Sequence, residues 1–148
     1  MKKLSLYIFL ILVVCNVGYA NNDLIGIKLL CKETKSTKWE NRPLRTYEFL
    51  NNFEVSINVL DSKDIEIQSY KHFYKSDLRK VYLYNNQKKY ERHWKDGYKI
   101  ERDTLFGISI KGEKFCTCSV IDKDKNLMEI LIEELEILKL KTLRNNKI

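Results

Sequence analysis

The chain has 148 residues, a formal net charge of +7 and 32% charged residues. This length is one domain's worth of sequence and is enough to bury a single modest core. With five glycines in all, the composition argues against a glycine-rich nucleotide-binding loop. The positive charge comes mostly from lysine, which AT-rich codons favour together with asparagine and isoleucine, so the charge alone does not indicate a polyanionic partner.

The first twenty residues have the features of a signal peptide. A basic pair at 2–3 precedes an apolar run at 4–14, and the segment 18–20 places small residues at the −3 and −1 positions of a cleavage site. We therefore expect residues 1–20 to be removed and residues 21–148 to form a single β domain. Loss of two lysines lowers the net charge from +7 to about +5, and we expect the protein to be periplasmic or secreted.

Two other fates of this leader are consistent with the sequence. An uncleaved N-terminal anchor would need a longer apolar run than the one at 4–14. A lipoprotein would carry its lipid on Cys15, which follows Leu12, Val13 and Val14 in the outline of a lipobox. Membrane contact is therefore expected only through the signal peptide, unless Cys15 is lipidated.

From residue 24 to residue 121 the chain shows the period-2 alternation that is typical of half-buried strands. The segments with this pattern are 24–32, 45–50, 53–60, 65–70, 80–84, 88–94, 98–102, 104–110 and 114–121. The connections between them are short, so neighbouring strands should pair antiparallel. We predict a mainly β fold, either an antiparallel up-and-down barrel or a two-layer sandwich, of about eight strands.

The period changes to about 3.6 residues at Asn126, which together with Glu129 resembles a capping box. We therefore predict one C-terminal α-helix over about residues 126–143. Its apolar stripe, which should pack on the sheet, consists of Leu127, Met128, Leu131, Leu135 and Leu138. A weaker stripe of Ile130 and Ile137 is more typical of the edge of a wide buried face than of a dimer seam, so we expect a monomer.

Four cysteines become three when the leader is removed, namely Cys31, Cys116 and Cys118. Thiols of an exported protein are expected to be oxidised. The first and last strands of an up-and-down barrel are neighbours, so Cys31 should bond to Cys118 or to Cys116, and a loop this long should stabilise the fold by about 4–5 kcal/mol. A redox pair would lack the helix N-terminus that activates a thiol, and a zinc site would lack a fourth ligand. We therefore expect no metal and no cofactor.

Residues 70–95 interleave basic and aromatic side chains. The candidate anion-binding face within them consists of Lys80, Tyr82, Tyr84, Lys88, Lys89 and Arg92. Alternating tyrosine and lysine would suit single-stranded nucleic acid, but an exported protein seldom meets one, and a solvated, tyrosine-rich sheet face gives the same pattern. We therefore expect no nucleic-acid partner. If this face binds, an anionic envelope polymer or an acidic protein is the expected partner.

Side chains that could carry out catalysis are few. The chain has two histidines, His72 and His93, and it contains no nucleophile elbow, zinc-protease helix or phosphate-binding loop. Glu91 and His93 share a face of their predicted strand, which is too little for a mechanism. We therefore expect that the protein is not an enzyme. A pocket that joins His93, Glu91 and Arg102 would argue against this expectation.

A sparse pattern of residues spans the first strand and the region from about 98 to 120. Its members are Ile100, Arg102, Thr104, Cys118 and the segment Leu30-Cys31-Lys32. The pattern resembles small exported proteins of unknown function from AT-rich marine alphaproteobacteria. It departs from them at Leu105, where they have a glycine, and in its additional Cys116. The resemblance implies a secreted β domain and assigns no activity.

The expected function is non-catalytic binding or interaction in the periplasm or at the cell envelope. One alternative is a lipocalin-like carrier of a small apolar ligand, because lipocalin-like barrels also end with a helix laid on the barrel. A second is a periplasmic inhibitor of a cell-wall hydrolase, since such inhibitors are small, disulfide-stapled β domains. The inward side chains are large, and a barrel filled by side chains carries no ligand, so we expect a protein or polymer partner.

Overall fold

The computed structural model of the chain describes residues 22–34, 41–91 and 98–145. Its strands are β1 (Lys28–Glu33), β2 (Leu44–Phe49), β3 (Glu54–Asp61), β4 (Glu66–Ser76), β5 (Lys80–Tyr84), β6 (Tyr98–Glu101), β7 (Phe106–Ile108) and β8 (Lys114–Ile121). They form one closed antiparallel barrel in which each strand pairs with the next and β8 pairs with β1. The predicted mainly β fold is confirmed in its barrel form rather than as a sandwich. Closure removes the exposed edges that an open sheet would leave.

Helical segments accompany the barrel in the described residues: a 3₁₀ turn (Asn22–Leu24), α1 (Gln87–Glu91) and the C-terminal helix α2 (Leu127–Asn145). The 3₁₀ turn precedes β1, α1 follows β5, and α2 follows β8. None of the helices in the described part of the chain is long and apolar enough to span a membrane.

The strand predicted over residues 88–94 is wrong in its first half, where the chain forms α1. Asn86 Oδ1 accepts a hydrogen bond from Lys89 N at 2.9 Å, which satisfies an amide of the first helical turn and fixes where the helix begins. The Tyr90 ring then lies 6.0 Å from that of Tyr84, centroid to centroid. Capping and tertiary packing therefore override the alternating pattern here. The rest of the predicted strand lies outside the described residues.

Side chains on the strands alternate between the inside and the outside of the barrel, as the period-2 pattern predicted. On β5, Val81 and Leu83 are buried inside, whereas Tyr82 lies on the outer face and is half-buried. Register places Tyr47 of β2 opposite Ile57 of β3. The buried residues of the barrel core are Leu24, Leu29, Cys31, Tyr47, Phe49, Val55, Ile57, Val59, Tyr74, Val81, Leu83, Ile100, Phe115, Cys116 and Cys118.

One end of the barrel is closed by the 3₁₀ turn and by large side chains. Leu24 packs into the barrel core, and its carbonyl accepts a hydrogen bond from Ile27 N at 2.9 Å. The rings of Phe49 and Tyr74 meet edge to face, with centroids 4.8 Å apart. The Tyr74 hydroxyl donates to Asn51 O at 2.7 Å, so its buried polar group is satisfied. Side chains therefore fill this end of the barrel.

Helix α2 packs on the outside of the barrel through its predicted apolar stripe. Leu131 is fully buried against Leu44 of β2 and Leu60 of β3. The half-buried side chains around this second core are Leu30, Ile67, Leu135 and Leu138. Asn126 Oδ1 accepts from Met128 N at 3.0 Å and so caps the helix, as the sequence predicted. The helix runs two residues beyond the predicted end.

A disulfide joins Cys31 to Cys118. The two residues are directly opposed in the register of β1 and β8, with Cα atoms 3.9 Å apart. The bond links positions 87 residues apart and fastens the first strand to the last at the barrel seam. Of the two partners that the sequence left open, Cys118 forms the bond, and Cys116 is a buried free thiol.

Candidate functional site

A cavity of about 240 Å³ lies inside the barrel, towards the end opposite the 3₁₀ turn. The residues that line it are Arg42, Arg45, Tyr47, Ile57, Val59, Tyr70, His72, Leu83, Asn85 and Tyr98. The buried rings of Phe49 and Tyr74 pack at the closed end, whereas the other end keeps open space beside the buried ring of Phe115. The structure therefore corrects the expectation that inward side chains fill the barrel.

Strands β2 and β3 supply one wall of the cavity. Arg45 and Tyr47 share the inward parity of β2 and lie opposite Val59 and Ile57 of β3 in the register. Both aliphatic side chains are buried, and so is Tyr47. This wall thus combines an apolar surface with a guanidinium group and a phenol.

Strand β4 continues the wall with Tyr70 and His72, whose ring centroids are 6.1 Å apart. The residues between and beside them, such as Lys71 and Phe73, point outward. The basic and aromatic stretch of the sequence is therefore divided between two surfaces. Sequence reasoning treated it as one face and missed the two cavity residues. The signal that could have found them is their inward parity, which they share with Tyr74 on the same strand.

Two polar groups on these walls, the phenol of Tyr47 and the imidazole of His72, are neutral at physiological pH. Burial raises the pKa of Tyr47 to about 12, although the charge of Arg45 and a hydrogen bond with it act in the opposite direction. The phenol is therefore protonated and can donate a hydrogen bond. Burial lowers the pKa of His72 from its usual value, so its imidazole is neutral at pH 7.

Two arginines make the cavity wall positive. Arg42 precedes β2, and its Nε lies 3.9 Å from a carboxylate oxygen of Asp61. Arg45 lies within β2, and its Cζ is 5.1 Å from the centroid of the Phe115 ring. Stacking of this kind restricts the orientation of a guanidinium, and Arg45 also forms a hydrogen bond with Tyr47. Among the described residues that line the cavity there is no carboxylate.

The described lining residues also include no serine, threonine or cysteine, so they present no hydroxyl or thiol nucleophile beside the histidine. Glu91 is exposed at the end of α1, near the open end of the barrel. Arg102 forms an ion pair with Asp23 of the 3₁₀ turn, at the closed end. The structure therefore does not bring Glu91 and Arg102 together, and His93 lies outside the described residues.

The candidate anion-binding face lies on the outer side of β5 and on α1. Its six residues have different environments: Lys88 and Lys89 are exposed, Lys80 and Tyr82 are half-buried, Tyr84 is buried, and Arg92 lies outside the described residues. Tyr90 covers Tyr84, and Lys75 Nζ lies 4.3 Å from the centroid of the Tyr90 ring. The rings thus pack on one another, so lysines are the main groups that this face offers to a polyanion.

A cluster of three sulfurs lies at the seam between β1 and β8. The Sγ atoms of Cys31, Cys116 and Cys118 are all within 4.8 Å of one another, and all three residues are buried. Burial raises the pKa of the Cys116 thiol to about 11, although the charge of Arg45 and a hydrogen bond from the backbone N–H of Gly107 favour the thiolate. The free thiol is therefore protonated at neutral pH and is a poor nucleophile.

Comparisons with known proteins find no match for this chain. The sequence fits no family model, and neither a curated protein nor a solved structure matches it. Inferences about function therefore depend on the cavity and the side chains that line it.

Proposed function

We propose that this chain is a non-catalytic binding protein whose barrel holds a small molecule with a compact apolar body and a carboxylate. The observation that carries the proposal is the cavity of about 240 Å³, in which aliphatic and aromatic walls surround Arg45. We also propose export through the signal peptide at residues 1–20, which would put the binding site in the periplasm or outside the cell.

The volume of the cavity limits the size of the ligand. About 240 Å³ is the liquid volume of about eight water molecules. It also lies below the range of about 300–1,000 Å³ that is typical of ligand pockets. A monocyclic aromatic acid or a short-chain fatty acid suits such a space, whereas a long-chain lipid exceeds it. The proposed ligand is therefore smaller and more polar than the apolar ligand of a lipocalin-like carrier.

Arg45 is the group that we assign to the carboxylate of the ligand. A guanidinium can donate two parallel hydrogen bonds to a carboxylate, and such charge-assisted pairs are the stronger hydrogen bonds of proteins. Tyr47, protonated and on the same wall, can donate a third. Ile57 and Val59, opposite these two residues in the register, can contact the apolar body of the ligand.

Titration calorimetry with hexanoate and benzoate tests this proposal. We expect one site per chain with a Kd between about 10 µM and 1 mM, the range that ligands of so few atoms reach. Arg45→Met keeps much of the apolar stem and removes the charge, so it should weaken binding about tenfold or more. Arg79→Met is the matched control, because Arg79 is exposed in the connection between β4 and β5 and should leave the affinity unchanged.

Val59→Phe tests the same site by filling it. The larger ring should occupy the cavity and abolish binding, while the free energy of unfolding stays within about 1 kcal/mol of the parent. In a barrel without open space the same change would destabilise by about 1–3 kcal/mol. Hexanoate and benzoate binding that survives both Arg45→Met and Val59→Phe would overturn the proposed site.

A second candidate ligand is an anionic envelope polymer on the outer surface at α1, where Lys88 and Lys89 are exposed beside Lys75 and Tyr90. Binding to such a polymer should weaken as the salt concentration rises. Replacement of both exposed lysines by alanine should reduce it and leave hexanoate binding in the cavity unchanged. Equal polymer binding by the parent and this variant would contradict the second candidate.

A further inference from the structure

The three sulfurs at the barrel seam are close enough together to hold one metal ion when the Cys31–Cys118 bond is reduced. Cys31 faces Cys118 across β1 and β8, and Cys116 has the same parity two residues earlier on β8. The Sγ atoms of Cys116 and Cys118 are 3.9 Å apart, and all three sulfurs lie within 4.8 Å of one another. Three metal–sulfur bonds of about 2.3 Å in one plane separate their sulfurs by about 4.0 Å.

The surroundings of Cys116 are shaped around its sulfur. Gly107 lies opposite it on β7, and a Cβ atom at position 107 would collide with Cys116 Sγ. The backbone N–H of Gly107 donates a hydrogen bond to the sulfur. A backbone donor of this kind can orient a thiolate ligand.

We propose that these three cysteines bind one Cu(I) ion once the Cys31–Cys118 disulfide is reduced. Thiolates select soft ions. The cluster that the described residues form has no histidine or carboxylate member. Zinc in structural sites takes four ligands, and calcium and magnesium take oxygen, so none of these ions fits three sulfurs alone. The proposed copper ligands are not among the residues that line the cavity, although Arg45 lies near both sites.

Reduction and metal binding are separate steps. A dithiol reductant supplies two electrons and two protons, which convert the disulfide to the thiols of Cys31 and Cys118 while the reductant itself becomes a disulfide. Cu(I) then displaces the protons of the three thiols and keeps its oxidation state, so binding should tighten as the pH rises. The oxidised chain offers one thiol at the seam, so the redox state decides whether the site exists.

The test is a competition titration of the full chain against a chromogenic Cu(I) chelator. The chain carries Cys15→Ser, is reduced with a dithiol and is then separated from the reductant under anaerobic conditions. We expect one Cu(I) per chain, at least tenfold weaker binding by a Cys116→Ser variant, and at least a hundredfold weaker binding by the oxidised chain. Restoring Cys15 should change neither the stoichiometry nor the affinity.

Circular dichroism during the titration covers the case in which reduction unfolds the chain. Cu(I) should then restore the β spectrum in the chain with all three seam cysteines and fail to do so in Cys116→Ser, because binding to the folded state stabilises it. Equal Cu(I) affinity in the two chains, no bound copper, or tighter binding of zinc than of Cu(I) would each overturn the proposal.

Discussion

Gly107 leaves room for the sulfur of Cys116, and this close approach gives a prediction at a single residue. Gly107→Ala should destabilise the fold by about 1–3 kcal/mol, because the added Cβ meets the sulfur and comes close to the Phe115 ring. Adding Cys116→Ala should recover at least half of the loss. The measurement is urea unfolding of the two variants and the parent, and a loss that the second change leaves untouched would contradict the steric explanation.

The Cys116 thiol should also make the stability depend on alkaline pH. Its folded-state pKa is raised from 9.0 to about 11, chiefly by burial, so the folded chain keeps a proton that the unfolded chain releases. The protonated thiol therefore contributes to the free energy of unfolding, and this contribution is fully present below about pH 9 and is lost as the pH rises through 11. Between pH 8 and pH 10 the loss should be about 1–1.5 kcal/mol.

Cys116→Ala is the control for this pH dependence. It removes the titrating thiol and keeps Tyr47, whose raised pKa of about 12 has its effect at higher pH. The free energy of unfolding of the variant should therefore fall less between pH 8 and pH 10 than that of the parent. Chemical denaturation at pH 8 and pH 10 measures this fall in each chain. An equal fall in the free energy of unfolding of the variant and the parent would show that the thiol does not titrate as the structure indicates.

The individual residues of the cavity were the hardest feature to predict from the sequence. Arg45 sits in a segment with ordinary strand alternation, and its inward position depends on the parity set by Tyr47 and by the closure of the barrel. His72 is half-buried, and no motif in the sequence marks it as a cavity residue. The lining residues come from five strands and the adjoining loops. They are therefore far apart in the sequence and form no short motif that could be recognised there.

Helix α2 gives a prediction at the scale of an element, since its two faces differ in burial. Leu131 is fully buried, whereas Leu143 on the same helix is 60% exposed. Leu131→Ala should therefore lower the free energy of unfolding by about 2–5 kcal/mol. Leu143→Ala, the same chemical change on the exposed side, should stay within about 0.5 kcal/mol of the parent. Similar losses in chemical denaturation would mean that α2 does not pack through the Leu131 stripe.

Elements were predictable where one periodicity ran without interruption. The alternation over 53–60 and the helical stripe after Asn126 each name one surface that must be buried, and the structure buries Val55, Ile57 and Val59 of the first and Leu127 and Leu131 of the second. The prediction was wrong at α1, where alternating residues follow Asn86. There a single side-chain cap and the contact of Tyr90 with the barrel outweigh the local pattern.

At the scale of the whole molecule, closure and the disulfide follow from the same topology. Short connections imply neighbour pairing, and neighbour pairing of eight strands brings β1 to β8, where Cys31 can meet Cys118. Whether Cys31 faces Cys116 or Cys118 depends on a shift of two residues in the register of β1 and β8, and no sequence pattern fixes that register. The cavity was also beyond prediction, because it depends on how large rings distribute along the barrel axis rather than on how many point inward.

Methyl NMR of the labelled chain during titration with hexanoate and benzoate shows directly whether the barrel binds a small carboxylate inside. The methyl resonances of Ile57, Val59 and Leu83 should shift in a saturable manner, while those of Leu140 and Leu143 on the exposed side of α2 should stay unchanged. Arg45→Met should weaken these shifts. Interior resonances that remain in place up to millimolar concentrations of both ligands, or shifts confined to the outer surface, would show that neither ligand binds inside the barrel.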